Sequence, residues 1–341
     1  MRADVSFSDE TKRKVRKAAR MLGYEAPPRH RRGVLKDRKT IIIACPNNSN
    51  FYYASVTQSV QAAAKKLGYN DIVFNTFNDI ERERQMLDIV QSIGIGGIVY
   101  TMTPQCLLEI ERLNNSIPIV AICDKVEGLE VDTVELNNIK AGRLIGSHLI
   151  ELGHRNIAFI SSTLNDIEAQ HVKRRMGLHE ILKRYCASFN FKEFATEVSS
   201  EQELNDVNIQ YTIGKKLTEE ILDSNEKFTA IVSVNDSIAY GSLDALANLG
   251  YKVPYDISVC GFNNIFPSKF KNISLTTIDH QMIKKGKIAF HILHNRIIGG
   301  NTPSKRMRVE YTPQLIVRET TGPAHYLHQK RRFHVPSCGN S

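Results

Sequence analysis

From Thr40 onward, short apolar runs alternate with amphipathic stretches, and this rhythm constrains the fold more than any other feature of the chain. The runs Ile41–Cys45, Ile72–Asn75, Gly97–Tyr100, Ile119–Cys123, Ile157–Ser161, Phe194–Val198, Ala230–Val234 and Ser258–Phe262 read as strands. Between them, helical periodicity spans Ala54–Leu67, Ile80–Ser92, Gln105–Leu113, Ile139–Leu152, Lys173–Tyr185, Thr212–Leu222 and Ser237–Leu249. Gly68, Gly153 and Gly250 follow three of these segments, where a left-handed residue closes a helix. Strand alternating with helix means parallel sheets covered on both faces. The spacing is too uneven for an eight-stranded barrel, so the α/β pattern predicts two doubly wound parallel-sheet lobes. Ligands of such lobes lie at the carboxyl ends of the strands, which predicts a cleft between the lobes.

A later helix, Met282–Ile298, precedes strand-like Arg306–Tyr311 and Gln314–Arg318. These elements return to lobes already built, so the chain crosses between them more than once.

Charge separates the ends from the body. Residues 1–40 hold 13 Lys+Arg and 5 Asp+Glu, whereas the body is close to neutral. A basic arm on a neutral body fits a polyanionic partner, with a solvated flexible end as the bland alternative. Within the arm, residues 8–22 read as a helix with Ser8 as N-cap and an apolar stripe of Val15, Ala18, Ala19 and Leu22. Residues 26–33 (APPRHRRG) read as a linker. The chain begins with a charged stretch rather than a signal peptide, and no apolar run reaches the ~18 residues that span a bilayer. The six cysteines are scattered without a CxxC pair. The expectation is a reduced, cytoplasmic protein without a membrane partner.

Catalytic and cofactor motifs do not emerge. Gly94-Ile95-Gly96-Gly97 does not fit GxGxxG, and GxxxxGK[ST], GxSxG and HExxH are missing. The tail residues His325, His328, His334 and Cys338 read as an unstructured segment rather than a metal site. The expectation is a non-enzyme with no cofactor. Polar residues at strand ends are more informative: Asp124, Asn235-Asp236 and Asn263-Asn264 each follow an apolar run. Any one of them alone is a helix cap or turn former, and Asp236 reads as a cap. Their recurrence at equivalent points favours a cleft for a polar ligand. Tyr52-Tyr53 offers flat surface for a sugar ring or base, and Arg174 reaches the same cleft unless it is one more solvated charge in Lys173-Arg174-Arg175.

Over about residues 5–320 the chain resembles the lactose/galactose repressor family of bacterial transcription regulators. The segments that carry the resemblance are FSDETKRKVRKAARMLGY, HLIELGHRNIAFIS, TAIVSVNDSIAYGSLDALANLGYKVPYDISVCGF, LTTIDHQ and TPQLIVRET, in that order. The resemblance implies a periplasmic-binding-protein-like core with three crossovers near Ser161, Asp279 and Glu310. Lobe 1 would then cover about 40–160 and 282–309, and lobe 2 about 161–279 and 310–320. It also implies a homodimer whose operator affinity responds to a small sugar or sugar-phosphate effector in the cleft. By matching position, Tyr52, Tyr53, Asp124, Arg174, Asn235, Asn263 and Met282 fall on effector-contact positions. Ser8 and Thr11 fall on phosphate-contact positions of a helix N-terminus. Tyr24 and Leu35 match the tyrosine after the headpiece and the hinge leucine that wedges into the minor groove.

There are departures from the family pattern. Residues 1–25 match only the third helix of a helix-turn-helix headpiece, with 26–39 as hinge and 321–341 as a disordered tail without counterpart. An incomplete headpiece implies weak, non-specific binding to operator DNA, and leaves a sugar or sugar-phosphate sensor as the alternative function. Asn263 stands where sugar-binding members usually carry aspartate, and Met282 replaces an aromatic residue.

Overall fold

The structure, a computed structural model, describes residues 39–124, 126–164, 169–299 and 306–325. In chain order the first elements are β1 (Thr40–Cys45), α1 (Phe51–Lys66), β2 (Asn70–Asn75), α2 (Ile80–Ile93), β3 (Gly97–Tyr100), α3 (Leu107–Asn114), β4 (Ile119–Ala121) and β5 (Asp132–Leu136). Next come α4 (Asn138–Glu151), β6 (Asn156–Ser161), α5 (Ala169–Tyr185), β7 (Asn190–Ala195), α6 (Ser200–Asn205), α7 (Ile209–Asp223), β8 (Ala230–Ser233), α8 (Asp236–Asn248), β9 (Ser258–Asn263) and β10 (Thr276–Asp279). The last are α9 (Met282–Ile298), β11 (Arg308–Tyr311) and β12 (Gln314–Ile316).

The strands form two six-stranded sheets, ordered β11-β5-β4-β3-β1-β2 and β12-β10-β9-β8-β6-β7. Every pairing is parallel except β10 with β12. Apolar residues on both faces mark the interior strands: Ile41, Ile42 and Ile43 of β1 are all essentially inaccessible, whereas the edge strand β2 is half-exposed. Separate apolar clusters cover the two faces of the first sheet, and another fills the second lobe. This is the doubly wound α/β architecture expected from the sequence.

Helices start close behind the strands, and asparagine or aspartate caps do much of the turning. Asn50, Asp79, Asn137 and Asn235 accept backbone N–H bonds at the starts of α1, α2, α4 and α8. Glycines then allow paired helices to touch backbone to backbone. A Cβ on Gly142 of α4 would meet the Arg174 carbonyl oxygen at 2.0 Å, and one on Gly177 of α5 would meet that of Ile139 at 2.0 Å. Gly214 and Gly241 make the same arrangement between α7 and α8.

Several sequence expectations need correction. The first passage between lobes lies at Asn137, not near Ser161. β6 pairs with β8, and α4 packs on α5, so residues 138–160 belong to the second lobe. The second passage follows Asp279, where α9 leaves β10 and packs on α1. The third runs through residues 312–313, and Glu310 itself still pairs with Glu135 in the first sheet. Strand β7 lies at Asn190–Ala195, short of the expected 194–198. Two strands escaped the apolar pattern. In β5, Asp132 and Glu135 are buried because Arg296 and Arg308 pair with them. In β10, Thr276 and Thr277 are buried with their hydroxyls bonded.

The core also outlasts residue 320. Ala324 donates its N–H to the Leu152 carbonyl at 2.8 Å, Gly322 caps His154, and His325 stacks on Tyr255. The remaining tail lies outside the described residues, as do Ser8, Thr11, Tyr24 and Leu35 and the headpiece and hinge that carry them.

Candidate functional site

The carboxyl ends of the two sheets enclose a cavity of about 420 Å³. That volume falls within the ~300–1,000 Å³ typical of small-molecule sites. Tyr52, Tyr53, Asp124, Arg174, Asn235 and Asn263 all line it, so the structure brings these six expected residues together on one cavity wall.

Two elements at each strand end explain how these side chains are held. Asp124 follows β4 in the first lobe and is 5% exposed. Its Oδ1 accepts from Asn138 Nδ2 at 2.8 Å, and Lys173 Nζ lies 3.0 Å from Oδ2 as an ion pair rather than an aligned hydrogen bond. Asn138, at the start of α4, turns its Oδ1 to Arg174, which donates from Nε at 2.9 Å. Arg174 also donates from Nη1 to the Val234 carbonyl at 2.7 Å, and its guanidinium lies over the Phe262 ring. A carboxylate from the first lobe is thus tied through one amide to a guanidinium of the second. The glycine contact between α4 and α5 is what brings Asn138 and Arg174 together.

Arg174 Nη2 lies 3.1 Å from His280 Nε2. A guanidinium can only donate, so Nε2 is the acceptor and the ring proton sits on Nδ1, which has no hydrogen-bond partner. Burial first, and then the charges of Arg174 and Lys285, hold His280 well below the ordinary histidine range. Burial, with Arg174 beside it, pushes His171 down to about 3. Both imidazoles are therefore neutral around pH 7.

Tyr52 presents its ring edge-on to Tyr53 and His280, and its hydroxyl accepts from Lys285 Nζ at 2.8 Å. Asn235 does two jobs. Its Oδ1 caps α8 at Ile238 N, and its Nδ2 donates to Gln210 Oε1 at 3.1 Å. The helix-cap reading of the Asn235-Asp236 pair thus belongs to Asn235. Asp236 instead lies fully buried behind the wall, accepting from Ser268 Oγ, Thr277 Oγ1 and Ile265 N. Those bonds pin the corner after β9, where Asn263 takes a positive φ of 122°.

Met282 does not line the cavity. The apolar face of α9 carries it into the first lobe's core beside residues such as Val56 and Phe290, and three residues on Lys285 reaches the wall instead. The sequence reading also missed Asn138, His171 and His280. Each is a polar residue in a helix start, helix body or loop, where a solvated role is the ordinary expectation. For Lys285, within MIKKGK, no local signal separates it from its exposed neighbour Lys284.

Residues 38–320 match the model for periplasmic binding proteins and the sugar-binding domain of the LacI family. The chain is 27% identical over 317 residues to the HTH-type transcriptional repressor PurR of Mannheimia succiniciproducens, covering 92% of this chain and 90% of that protein. Among solved structures, a LacI-family transcriptional regulator from Enterococcus faecium with bound ribose superposes with a TM-score of 0.70 at 23% identity, over 84% of this chain and 99% of that one. A periplasmic binding protein/LacI transcriptional regulator from Alkaliphilus metalliredigens, complexed with D-xylulofuranose, gives 0.67 at 26% identity, over 83% and 99%. Among the described residues, no helix is long and apolar enough to cross a membrane. The fold, the cleft between its lobes and the family match across residues 38–320 together place this chain in the LacI family of ligand-responsive transcription regulators.

Proposed function

We propose that this family member is a non-enzymatic cytoplasmic repressor, acting as a homodimer, in which a small sugar or sugar phosphate bound between the lobes changes affinity for operator DNA. The observation that carries the reading is the chain Asp124–Asn138–Arg174, which joins both lobes along the cavity wall. A ligand seated there touches both lobes at once, and any difference in its contacts between open and closed forms biases their separation. The wall offers paired donors and acceptors of the kind that sugar hydroxyls need, with Tyr52 and Tyr53 as ring surfaces. Ribose and D-xylulofuranose in two structural relatives support the ligand class.

The test is calorimetric titration of a panel of pentoses, hexoses and their phosphates into the parent and into Arg174→Ala, Asn235→Ala and Asn263→Asp. Arg174 lines the cavity, and a charge-assisted bond from it to the ligand is worth about 1.5–3 kcal/mol, so its removal should weaken binding tenfold or more, while the loss of its bonds to Asn138 and Val234 should lower stability. Asn263→Asp replaces an NH₂ donor by acceptors and should favour neutral hydroxyls over phosphates. If Arg174→Ala binds as well as the parent, the cleft assignment is wrong.

A further inference from the structure

We propose that the Lys285 corner of the cavity is a subsite for an anionic oxygen group, a phosphate or a carboxylate carried by the effector. This deepens the sugar-effector reading and rests on it.

Lys285 is 3% exposed, yet it lines the cavity. Its Nζ donates to one neutral phenol, that of Tyr52, and lies 5.3 Å from the centre of the same ring. An ammonium carries three donors, so this bond leaves it incompletely satisfied. Among the described residues, no carboxylate lies within ion-pair distance of that nitrogen, although a charge taken out of water is costly unless it is paired. The carboxylate that shares the cavity wall, Asp124, already has Lys173 at 3.0 Å and Asn138 at 2.8 Å. Arg174 adds a second positive charge to the same wall.

The neutral groups around Lys285 are also donors. The Tyr52 hydroxyl accepts from Lys285, which leaves its own proton to give. His280 stands edge-on to Tyr52 with a protonated, unpartnered Nδ1. The corner therefore combines excess positive charge with the remaining donors of Lys285 and Tyr52, which an anion satisfies and a sugar hydroxyl does not neutralise. Helix packing holds it in place. Gly286, next in the chain, lets α9 approach α1 so closely that a Cβ there would meet the Val56 carbonyl oxygen at 2.7 Å. Ser59 Oγ donates to the Ile283 carbonyl at 2.6 Å across the same contact.

The test uses the full chain and matched trios of ligands: a pentose or hexose, its terminal phosphate and its aldonic acid, with inorganic phosphate as a fourth probe. Calorimetry should show the phosphate or the acid binding about tenfold or more tightly than the neutral sugar, equivalent to about 1.4 kcal/mol. The difference between those two arms identifies which anion the corner prefers. Lys285→Met, confirmed as folded by its circular dichroism and melting, should remove the preference for the anion over the neutral sugar and abolish binding of inorganic phosphate. Lys285→Arg should retain the preference. Equal or tighter binding of the neutral sugar by the parent overturns the proposal, as does an unchanged preference in Lys285→Met. It is also overturned if no anion, inorganic phosphate included, binds saturably. A failure of the cleft reading shows itself separately, as ligand binding that Arg174→Ala leaves intact.

Discussion

Replacing Gly177 by alanine adds one methyl group, and the structure gives it nowhere to go. The new Cβ would lie 2.0 Å from the Ile139 carbonyl oxygen, 2.9 Å from its carbonyl carbon and 3.1 Å from its Cα. Ordinary contact begins at 3.4 Å, so α4 and α5 must separate by about 1.4 Å there, and the obstacle is backbone that cannot rotate aside. Alanine is favoured over glycine in a helix by about 1 kcal/mol, whereas overpacking of this kind costs about 1–3 kcal/mol. With backbone as the obstacle the upper end applies, so a net loss of about 1–2 kcal/mol is expected. Melting temperature should fall by a few degrees, and urea unfolding should show a lower midpoint with an unchanged slope. The same separation lengthens the 2.9 Å bond from Arg174 to Asn138, so effector affinity should fall together with stability. Gly142→Ala meets the Arg174 carbonyl oxygen at 2.0 Å from the opposite side of the same crossing. Once one methyl has parted the helices the second has room, so the double variant should cost less than the two singles combined. A Gly177→Ala protein that melts at or above the parent would refute the reasoning.

Acid should destabilise the protein through its buried histidines. Burial pushes His154, which bonds to Thr229 and Gly322, down to about 4, and His171 down to about 3. Their folded values lie below the unfolded value of about 6.5, so their contribution is complete above that pH and is lost as pH falls. His154 alone accounts for about 3 kcal/mol between pH 6.5 and pH 4. Asp236 acts in the opposite sense, because burial raises it to about 6 and its contribution disappears as pH rises through that value. Melting scans should therefore show a steeper acid-side fall in the parent than in His154→Gln, and equal slopes would count against this assignment. Sedimentation should find a dimer at micromolar concentration. A monomer or a stable tetramer is the contrary result.

Much of the site was legible because its signals are local. An apolar run followed by Asp124, Asn235 or Asn263 marks a strand's carboxyl end whatever the rest of the chain does. Tyr52, Tyr53 and Arg174 joined them on the cavity wall. What misled was also local. β5 reads as polar because Asp132 and Glu135 find their partners 164 and 173 residues away, at Arg296 and Arg308. The first crossover near Ser161 and Met282 in the cleft were carried over from the family resemblance, and matching a position does not fix which neighbours its side chain packs against here.

The sequence by itself determined the alternating elements, the two doubly wound lobes and the strand ends that line the cavity. Each of these follows from periodicity and from side-chain preferences over a few neighbouring residues. Only the tertiary structure decided which side chains meet at those ends. Asn138 stands between Asp124 and Arg174 because glycines let two helices close to backbone contact. Lys285 is drawn out of water beside Tyr52 while Lys284 remains exposed. Burial and pairing belong to the whole packed chain, and a residue's charge reveals neither until its distant partners are in place.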